Sequence, residues 1–550
     1  VGANGPIPNA IVQVQGTPNK TTTQPNGTFT LHGTGLGGNS AVTITAWADG
    51  HTIGWVVLDP AKPNWQDLQI RVLPHFAQDN AAYTWFTHEG IKGSAACGAC
   101  HREYSEWQAD SHSKSASNPR FINVYRGTNA QGQKNQPTRF GGSGVALPAD
   151  PNLPDYGPGF QLDDAGRPGN CATCHTPLAG KIETTNSCAW SGCHTTTTAE
   201  RAEAAKVKPN LLGASPVGLL GVAEEGITCE FCHAVRAVNI EPGTGLPYTD
   251  QPGIQSMQLL RPPNGGEQKL FFGTLTDSNR EQVTYSALQS QSEFCAPCHF
   301  GVMGGVVSDM KMVGGVVIYN SYGEWLQSKF SDPQNGKTCQ DCHMPKQNTL
   351  YTVPPELGGV ARDYGAYHDH AMLGKDSQAL MWNALTLTST AQLAGAGAGA
   401  GINVQVRVMN DKTGHAVPTD APIRSVMLVV EALNGSGQPL PLQQGPMLPD
   451  WAGNYAGQAG KAFAKVLQDK WTGETPTAAY WRPVSLVADT RILPGAADQS
   501  NYTFAAPTGA VATVKVKLVY RRAFQKLAQQ KGWNDADFVM AEMVIQVSTK

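Results

Sequence analysis

The chain has 550 residues, room for roughly two to four domains with ordinary cores. Its 40 Lys and Arg against 43 Asp and Glu leave a formal charge of -3, which offers no basic field for nucleic acid, and no run of eighteen apolar residues is present to span a bilayer. Charged residues are only 15% of the chain while glycine (60) and proline (37) are abundant, the composition of a loop-rich architecture.

Residues 1–75 carry short alternating runs: AIVQVQG from Ala10, GTFTLHG from Gly27, AVTITAW from Ala41, WVVL from Trp55 and LQIRVL from Leu68. Period-two alternation between Gly, Pro or Asn turns predicts a small antiparallel β-sandwich. Across residues 76–383 the periodicity fades, leaving short helical patches such as REYSEWQADSH from Arg102 and AERAEAAKV from Ala199. Residues 384–550 open with a Gly/Ala tract, AGAGAGAG from Ala394, read as a flexible or tight connection. Strand-like runs then return from Ile402, Ser425, Val511 and Met543, with a helical segment from Arg521 among them, and predict a second β-sandwich-like domain. The expected fold is therefore mixed: an N-terminal β-sandwich, a central loop-rich and short-helical region, and a C-terminal β-sandwich-like domain.

The central region holds all 12 cysteines. Five times they follow the pattern Cys, two residues, Cys, His: Cys97/Cys100/His101, Cys171/Cys174/His175, Cys229/Cys232/His233, Cys295/Cys298/His299 and Cys339/Cys342/His343. A sixth copy, Cys188/Cys193/His194, has four residues between its cysteines. Two thiols one turn apart can add to the two vinyl groups of one porphyrin, and a histidine directly after the second then ligates the iron from below the ring. Zinc modules also pair cysteines, but they use two half-sites per metal and do not require histidine after every second cysteine. Disulfides would leave the six histidines unexplained. Six covalently attached haem c groups are expected, at about forty residues per haem, so the haems must lie close together. His175 and His194, nineteen residues apart, are expected to hold neighbouring haems.

Each iron has a second axial position. Of 14 histidines, six belong to the motifs, leaving His32, His51, His75, His88, His112, His368, His370 and His415. His112 follows His101 in a helical patch, and His88 precedes the first motif. His368 and His370 lie just beyond the last motif, where extended chain would send them to opposite sides. His415 sits on a Gly/Pro-bounded loop. The sixth ligand stays open: His75, at the end of the first β region, is the candidate, while His51 and His32 read as ordinary strand residues and Met303, Met310, Met312 and Met344 as loop packing. Bis-histidine ligation keeps iron coordinatively full, which favours electron transfer over binding of small substrates.

Several segments carry a family resemblance: CGACHREYSEWQADSH, EGITCEFCH, FGTLTDSNREQ, SEFCAPCH, YNSYGEWLQSKF with GKTCQDCHMP, HDHAMLG, GHAVPTDAPIR, DTRILP and KLVYRRAF. From about residue 80 onward the chain resembles large exported multihaem c-type cytochromes related to the hydroxylamine-pathway tetrahaem type. The resemblance implies that His112, His368, His370 and His415 are distal ligands. The Cys188 to Cys193 spacing departs from it and is a variant associated with small tetrahaem cytochromes of sulfate reducers. Residues 1–75, with PNGTFTL before VTITAWADGH, resemble carboxypeptidase-regulatory-like domains, which are non-catalytic. The same broad group includes cytochromes that polymerise into extracellular conductive filaments, so a homopolymer is a partner expectation beside redox partner proteins and extracellular acceptors.

The function expected is electron transfer along six closely spaced haems, with a reductase of nitrite, hydroxylamine or a sulfur oxyanion as the alternative. Covalent haem attachment takes place outside the cytoplasmic membrane, and the chain begins at Val1 without methionine, as an exported and processed product would. An extracellular or cell-surface location is expected ahead of the periplasm.

Overall fold

The computed structural model describes residues 1–33, 36, 40–59, 61, 68–80, 86–165, 169–178, 221–263, 269–304, 306–308, 311–395, 400–506 and 511–548. Cys188, Cys193 and His194 of the sixth motif, the helical patch from Ala199 and Met310 lie outside them. The fold is mixed, with many small sheets and short helices. Among the described residues no helix is long and apolar enough to cross a membrane.

Near the N-terminus, β1 (Ile11–Val14), β2 (Lys20–Thr22), β3 (Val42–Trp47) and β4 (Gly54–Leu58) form one antiparallel sheet in the order β2-β1-β3-β4. Alternation sets its inner face: Val12, Val14, Ile44, Ala46 and Leu58 are buried together. The runs from Gly27 and Leu68 form no ladder strands, yet they supply Phe29, Leu31, Ile70 and Val72 to the same core. The 68–72 segment is held instead by the terminal amine of Val1, which donates to the Ile70 carbonyl at 2.7 Å.

This sheet is tied to the central region by buried polar anchors. Asp277 accepts from the Gly16 amide at 2.8 Å and forms an ion pair with Arg362 at 2.7 Å, with both side chains almost wholly buried. Trp47 Nε1 donates to Thr284 Oγ1 at 3.0 Å.

The C-terminal region is a sandwich of two antiparallel sheets. One contains β5 (Thr386–Ala394), β6 (Gly401–Met409), β8 (Leu442–Gln444) and β10 (Ala497–Ala505), in the order β5-β6-β10-β8. The other contains β7 (Ser425–Asn434), β9 (Gly460–Phe463), β11 (Val511–Arg521) and β12 (Phe538–Ser548), in the order β9-β7-β11-β12. Every second residue points inward, so Val404, Val406 and Val408 of β6 meet Val426, Leu428 and Val430 of β7 and Val514, Val516 and Leu518 of β11. The Gly/Ala tract joins β5 to β6, which pair antiparallel down to Ala394 and Gly401.

The helix predicted from Arg521 forms over Gln525–Lys531. It returns to the central region through Lys531, whose fully buried Nζ donates to the Pro158 carbonyl at 2.7 Å and the Asn123 carbonyl at 3.3 Å. A second anchor is Arg482, clamped between Asp163 of the central region and Asp469.

Candidate haem-binding site

Each described motif closes a helical turn. The His101, His175 and His299 amides donate to the carbonyls of Cys97, Cys171 and Cys295 at 2.9, 3.0 and 3.1 Å, and the other two motifs lie in helices Cys229–Ala234 and Cys339–His343. At 3.6 residues per turn, this places the two thiols and the imidazole on neighbouring positions of one helical surface. Thr228 and Thr338 start the last two helices as N-caps, their hydroxyls accepting from the Phe231 and Asp341 amides.

The motifs are assembled in two copies of one arrangement. The Cys229 amide donates to Ser94 Oγ at 3.1 Å, and the Cys339 amide to Ser292 Oγ at 3.0 Å. Both serines stand three residues before the first cysteine of another motif, Cys97 and Cys295. In each copy those first cysteines are neighbours across the pair, Cys97 beside Cys229 and Cys295 beside Cys339. The residue after the leading Thr-Cys is buried in both: Glu230 accepts from the Phe86 amide, and Gln340 donates to the Gln289 and Gln291 carbonyls. A further thiol contact, Cys174 with Cys298, joins the motif ending in His175 to the one ending in His299.

Four motifs, those ending in His101, His233, His299 and His343, line one cavity of about 2190 Å³ together with His88, His112, His368, His370 and His415. That volume is more than twice the upper end of an ordinary ligand pocket, about 300–1,000 Å³, and its walls are largely apolar, with aromatic rings such as Trp107, Phe271, Phe294 and Tyr322 among them. The motif ending in His175 lies beside it, with Phe121 stacked on the imidazole at 3.7 Å.

Two histidine pairs face each other. His112 and His299 have ring centroids 6.4 Å apart, and His343 and His415 are 6.2 Å apart with planes 21° from parallel. Two imidazoles on opposite sides of one iron need about 6 Å between centroids, given metal–nitrogen bonds of about 2 Å.

The orientation of the rings is set by their other nitrogen. Nδ1 faces a backbone carbonyl in His175 (Ser115), His233 (Phe272), His343 (Leu373), His368 (Met344), His370 (His368) and His415 (Ala416). A carbonyl only accepts, so Nδ1 carries the proton and Nε2 presents a lone pair, as metal-ligating histidines do. Burial pushes the His233 and His175 pKa down to about 4, keeping those rings neutral, although the Phe272 and Ser115 carbonyls oppose the shift. His299 is the exception. Burial lowers its proton affinity, but the Asp420 carboxylate beside it outweighs that effect and raises the pKa to about 9.

The remaining residues are placed as follows. His101 is half exposed, 3.8 Å from Glu103. The chain turns after His368, where the Ala371 amide donates to Asp369, and both His368 and His370 border the same cavity. His88 reaches the cavity from a two-residue strand, Thr87–His88. His75 is not among the residues lining this cavity: its ring packs edge-on against Phe272 at 6.0 Å, and its Nδ1 is bonded to the Phe76 carbonyl. Met303 is buried in an apolar cluster with Ile318, Leu467 and Trp481.

His194 differs from the other five motif histidines. The spacing of its motif predicts it as the proximal ligand of a sixth haem beside that of His175, but His194 is not among the described residues, and neither are Cys188 and Cys193. The described residues include five of the six attachment motifs, and the place of His194 next to His175 is an expectation from the sequence. The four-residue gap is the physical departure: Cys188 and Cys193 are five positions apart, so a regular helix would set their thiols about 500° around its axis, well away from the spacing of the other motifs.

Haem c fits this chemistry. Thiols at helical spacing, Nε2 lone pairs on the rings whose Nδ1 faces a carbonyl, paired imidazoles and a largely apolar cavity supply what a covalently held porphyrin requires. Among the described residues no three His, Cys, Asp or Glu side chains converge to hold a metal ion by themselves, as a zinc site would demand. The ten described cysteines form no disulfide.

No protein-family model matches the chain. A 135-residue stretch is 31% identical to the dissimilatory sulfite reductase MccA of Wolinella succinogenes, covering 22% of this chain and 19% of that protein. The chain thus spans about a fifth of that relative's length. Among solved structures, the penta-haem cytochrome c552 from Thermochromatium tepidum is similar over 82% of this chain and 98% of that one, at 20% identity and a TM-score of 0.49. The motifs and the sequence relative together support a multihaem c-type cytochrome.

Asp110 and Asp420, which face His112 and His299, escape a reading by motif. Asp110 had a local signal, two residues before a candidate ligand. Asp420 had none, because its partner is distant in sequence. The paired S-x-x-C and T-C-x-x-C-H segments, visible in SAAC with TCEF and SEFC with TCQD, are the sequence trace of the two-copy arrangement.

Proposed function

We propose that the protein carries electrons along a chain of six haems, with His112 and His299 ligating one iron and His343 and His415 another. When bound, each haem supplies one-electron cycling between Fe(III) and Fe(II). The polypeptide holds the irons at fixed spacing, fills their axial positions and limits access of water. The observation that carries this reading is the pair of opposed imidazoles inside a cavity that several motifs share. An iron with two strong nitrogen ligands has no position left for a substrate, so those two haems are suited to transfer.

His88, His368 and His370 are proposed as further distal ligands, and His75 as the remaining candidate. The sixth haem, held by Cys188, Cys193 and His194, rests on the motif alone. Its test is the mass of the intact holoprotein, where six haem increments are expected and five would remove it. Export is proposed from covalent haem attachment, with an extracellular or cell-surface location proposed ahead of the periplasm, and assembly into a filament rests on the family resemblance. Electron microscopy of the secreted protein tests assembly: globular particles alone would sink it.

The ligation reading is tested by electron paramagnetic resonance of the oxidised holoprotein, with the expectation of low-spin ferric signals throughout. A high-spin signal at one equivalent or more, or a spectrum altered by stoichiometric cyanide or nitrite, would overturn full ligation.

A second reading is favoured by the sulfite reductase relative: one haem reduces sulfite or another oxyanion. Consumption of reduced viologen that depends on added sulfite, nitrite or hydroxylamine would support it. A flat trace with all three substrates would dismiss it.

A further inference from the structure

The two opposed histidine pairs differ in what their outer nitrogens face. In the pair His343 and His415, both Nδ1 atoms are bonded to backbone carbonyls, those of Leu373 and Ala416. In the pair His112 and His299, both face carboxylates: His112 Nδ1 is 2.6 Å from Asp110 Oδ1, and His299 Nδ1 is 3.5 Å from Asp420 Oδ2. Asp110 has only 9% of its side chain exposed, so water screens it little.

We propose that Asp110 and Asp420 are positioning residues that make the haem between His112 and His299 lower in reduction potential than the haem between His343 and His415. The inference rests on the ligation proposed above.

A carboxylate that accepts the Nδ1 proton draws it away from the ring and makes Nε2 the more basic donor. A more basic donor places more charge on the iron, which favours Fe(III) over Fe(II). A peptide carbonyl does the same with a partial charge only. The two carboxylates are unequal. Asp420 also accepts from Ser321 Oγ at 2.6 Å and lies 4.0 Å from Arg424, and both draw on its charge. Asp110 additionally accepts from the His112 amide at 2.8 Å, which fixes it beside the ring. Asp110 is therefore the stronger of the two.

The position of this haem gives the difference a consequence. Its cysteines touch those of two other motifs, Cys298 with Cys174 and Cys295 with Cys339. The less reducible of the two thus stands at a junction, and electrons rest on the haem of His343 instead of on it.

The test is a potentiometric titration of the holoprotein followed by visible spectroscopy, on the wild type and on Asp110→Asn, Asp420→Asn, His112→Met and His415→Met. Asparagine keeps a carbonyl for the His112 amide, and it tolerates the left-handed backbone of position 420, where φ is 59°. His112→Met marks which wave belongs to this iron. The expected result is that the marked wave is more negative than the wave that His415→Met marks. Asp110→Asn then moves that wave upward by at least about a tenfold change in the reduced-to-oxidised ratio, about 59 mV for one electron. Asp420→Asn moves it upward by less, and the other waves stay in place. If His112→Met changes one haem and Asp110→Asn leaves that haem's wave in place or lowers it, the inference is overturned while the ligation stands. If His112→Met changes no haem, the ligation reading itself is overturned.

Discussion

The C-terminal sandwich and the central region are built on opposite principles although they share an interface. In the sandwich, long strands bury a continuous file of valines, leucines and aromatics, and Val404, Val426, Val514 and Leu518 are wholly enclosed. In the central region the helices are one or two turns long and border a cavity in place of a packed core. What holds that region is a set of buried polar anchors. Examples are Asp277 with Arg362, Arg482 with Asp163, Lys531 with two carbonyls, and Glu324, which accepts from the Ala416 amide beside His415. Where side chains form the core, alternation suffices. Where the core is a cofactor, the backbone must be fixed by specific bonds, because apolar contact alone does not set a register.

The comparison can be broken first at Arg482. Replacing it with alanine leaves the Asp163 and Asp469 carboxylates buried without their partner. The expected cost is about 3–5 kcal/mol, read as a lowered urea midpoint. A loss below about 1 kcal/mol, the range of an exposed pair, would show that these anchors are incidental.

The matching cut in the sandwich is Leu518→Ala, which removes a fully buried side chain between the sheets. It should cost about 2–5 kcal/mol and leave the haem spectra unchanged, since Leu518 itself does not line the cavity, although Val417, Tyr520 and Met540 of the same core do. Altered haem spectra would contradict that expectation.

Lys531 sharpens the contrast through pH. Burial strips water from its ammonium group and lowers its pKa from 10.5 to about 7, with Asp155 opposing the shift only in part. Between pH 7 and 10.5 the unfolded chain then holds a proton that the folded chain has released, so stability rises with pH across that window, by at most about 1.4 kcal/mol per unit. Relative to Lys531→Met, the wild type should gain stability from about pH 7 to about pH 10 in parallel urea titrations. A constant difference would refute the shift.

The smallest effect belongs to the outer face of β12. Val544 is 55% exposed on this edge strand, and Val544→Thr should change the thermal midpoint by less than the equivalent of about 0.5 kcal/mol.

Some of this was written along the chain. The five regular motifs announce themselves because the chemistry of attachment needs residues within one helical turn. The strands of the sandwich announce themselves because alternation is a property of neighbouring residues, as in INVQVRV and VATVKVKLVY. The runs from Gly27 and Leu68 show the limit of that rule: their apolar residues reach the core as expected, but ladder pairing depends on a partner strand that the pattern does not name. His194 marks a limit of another kind, since its longer motif is legible in the sequence and lies outside the described residues.

The sequence by itself therefore determined the attachment residues, the mixed fold class and a short list of candidate ligands. Only the tertiary structure decided that His112 faces His299, that His415 faces His343, and that carboxylates stand behind one pair and carbonyls behind the other. The physical reason is distance along the chain. A thioether pair is local, whereas an axial pair joins residues far apart in sequence, and which of several histidines meets which ring is settled by how the backbone packs.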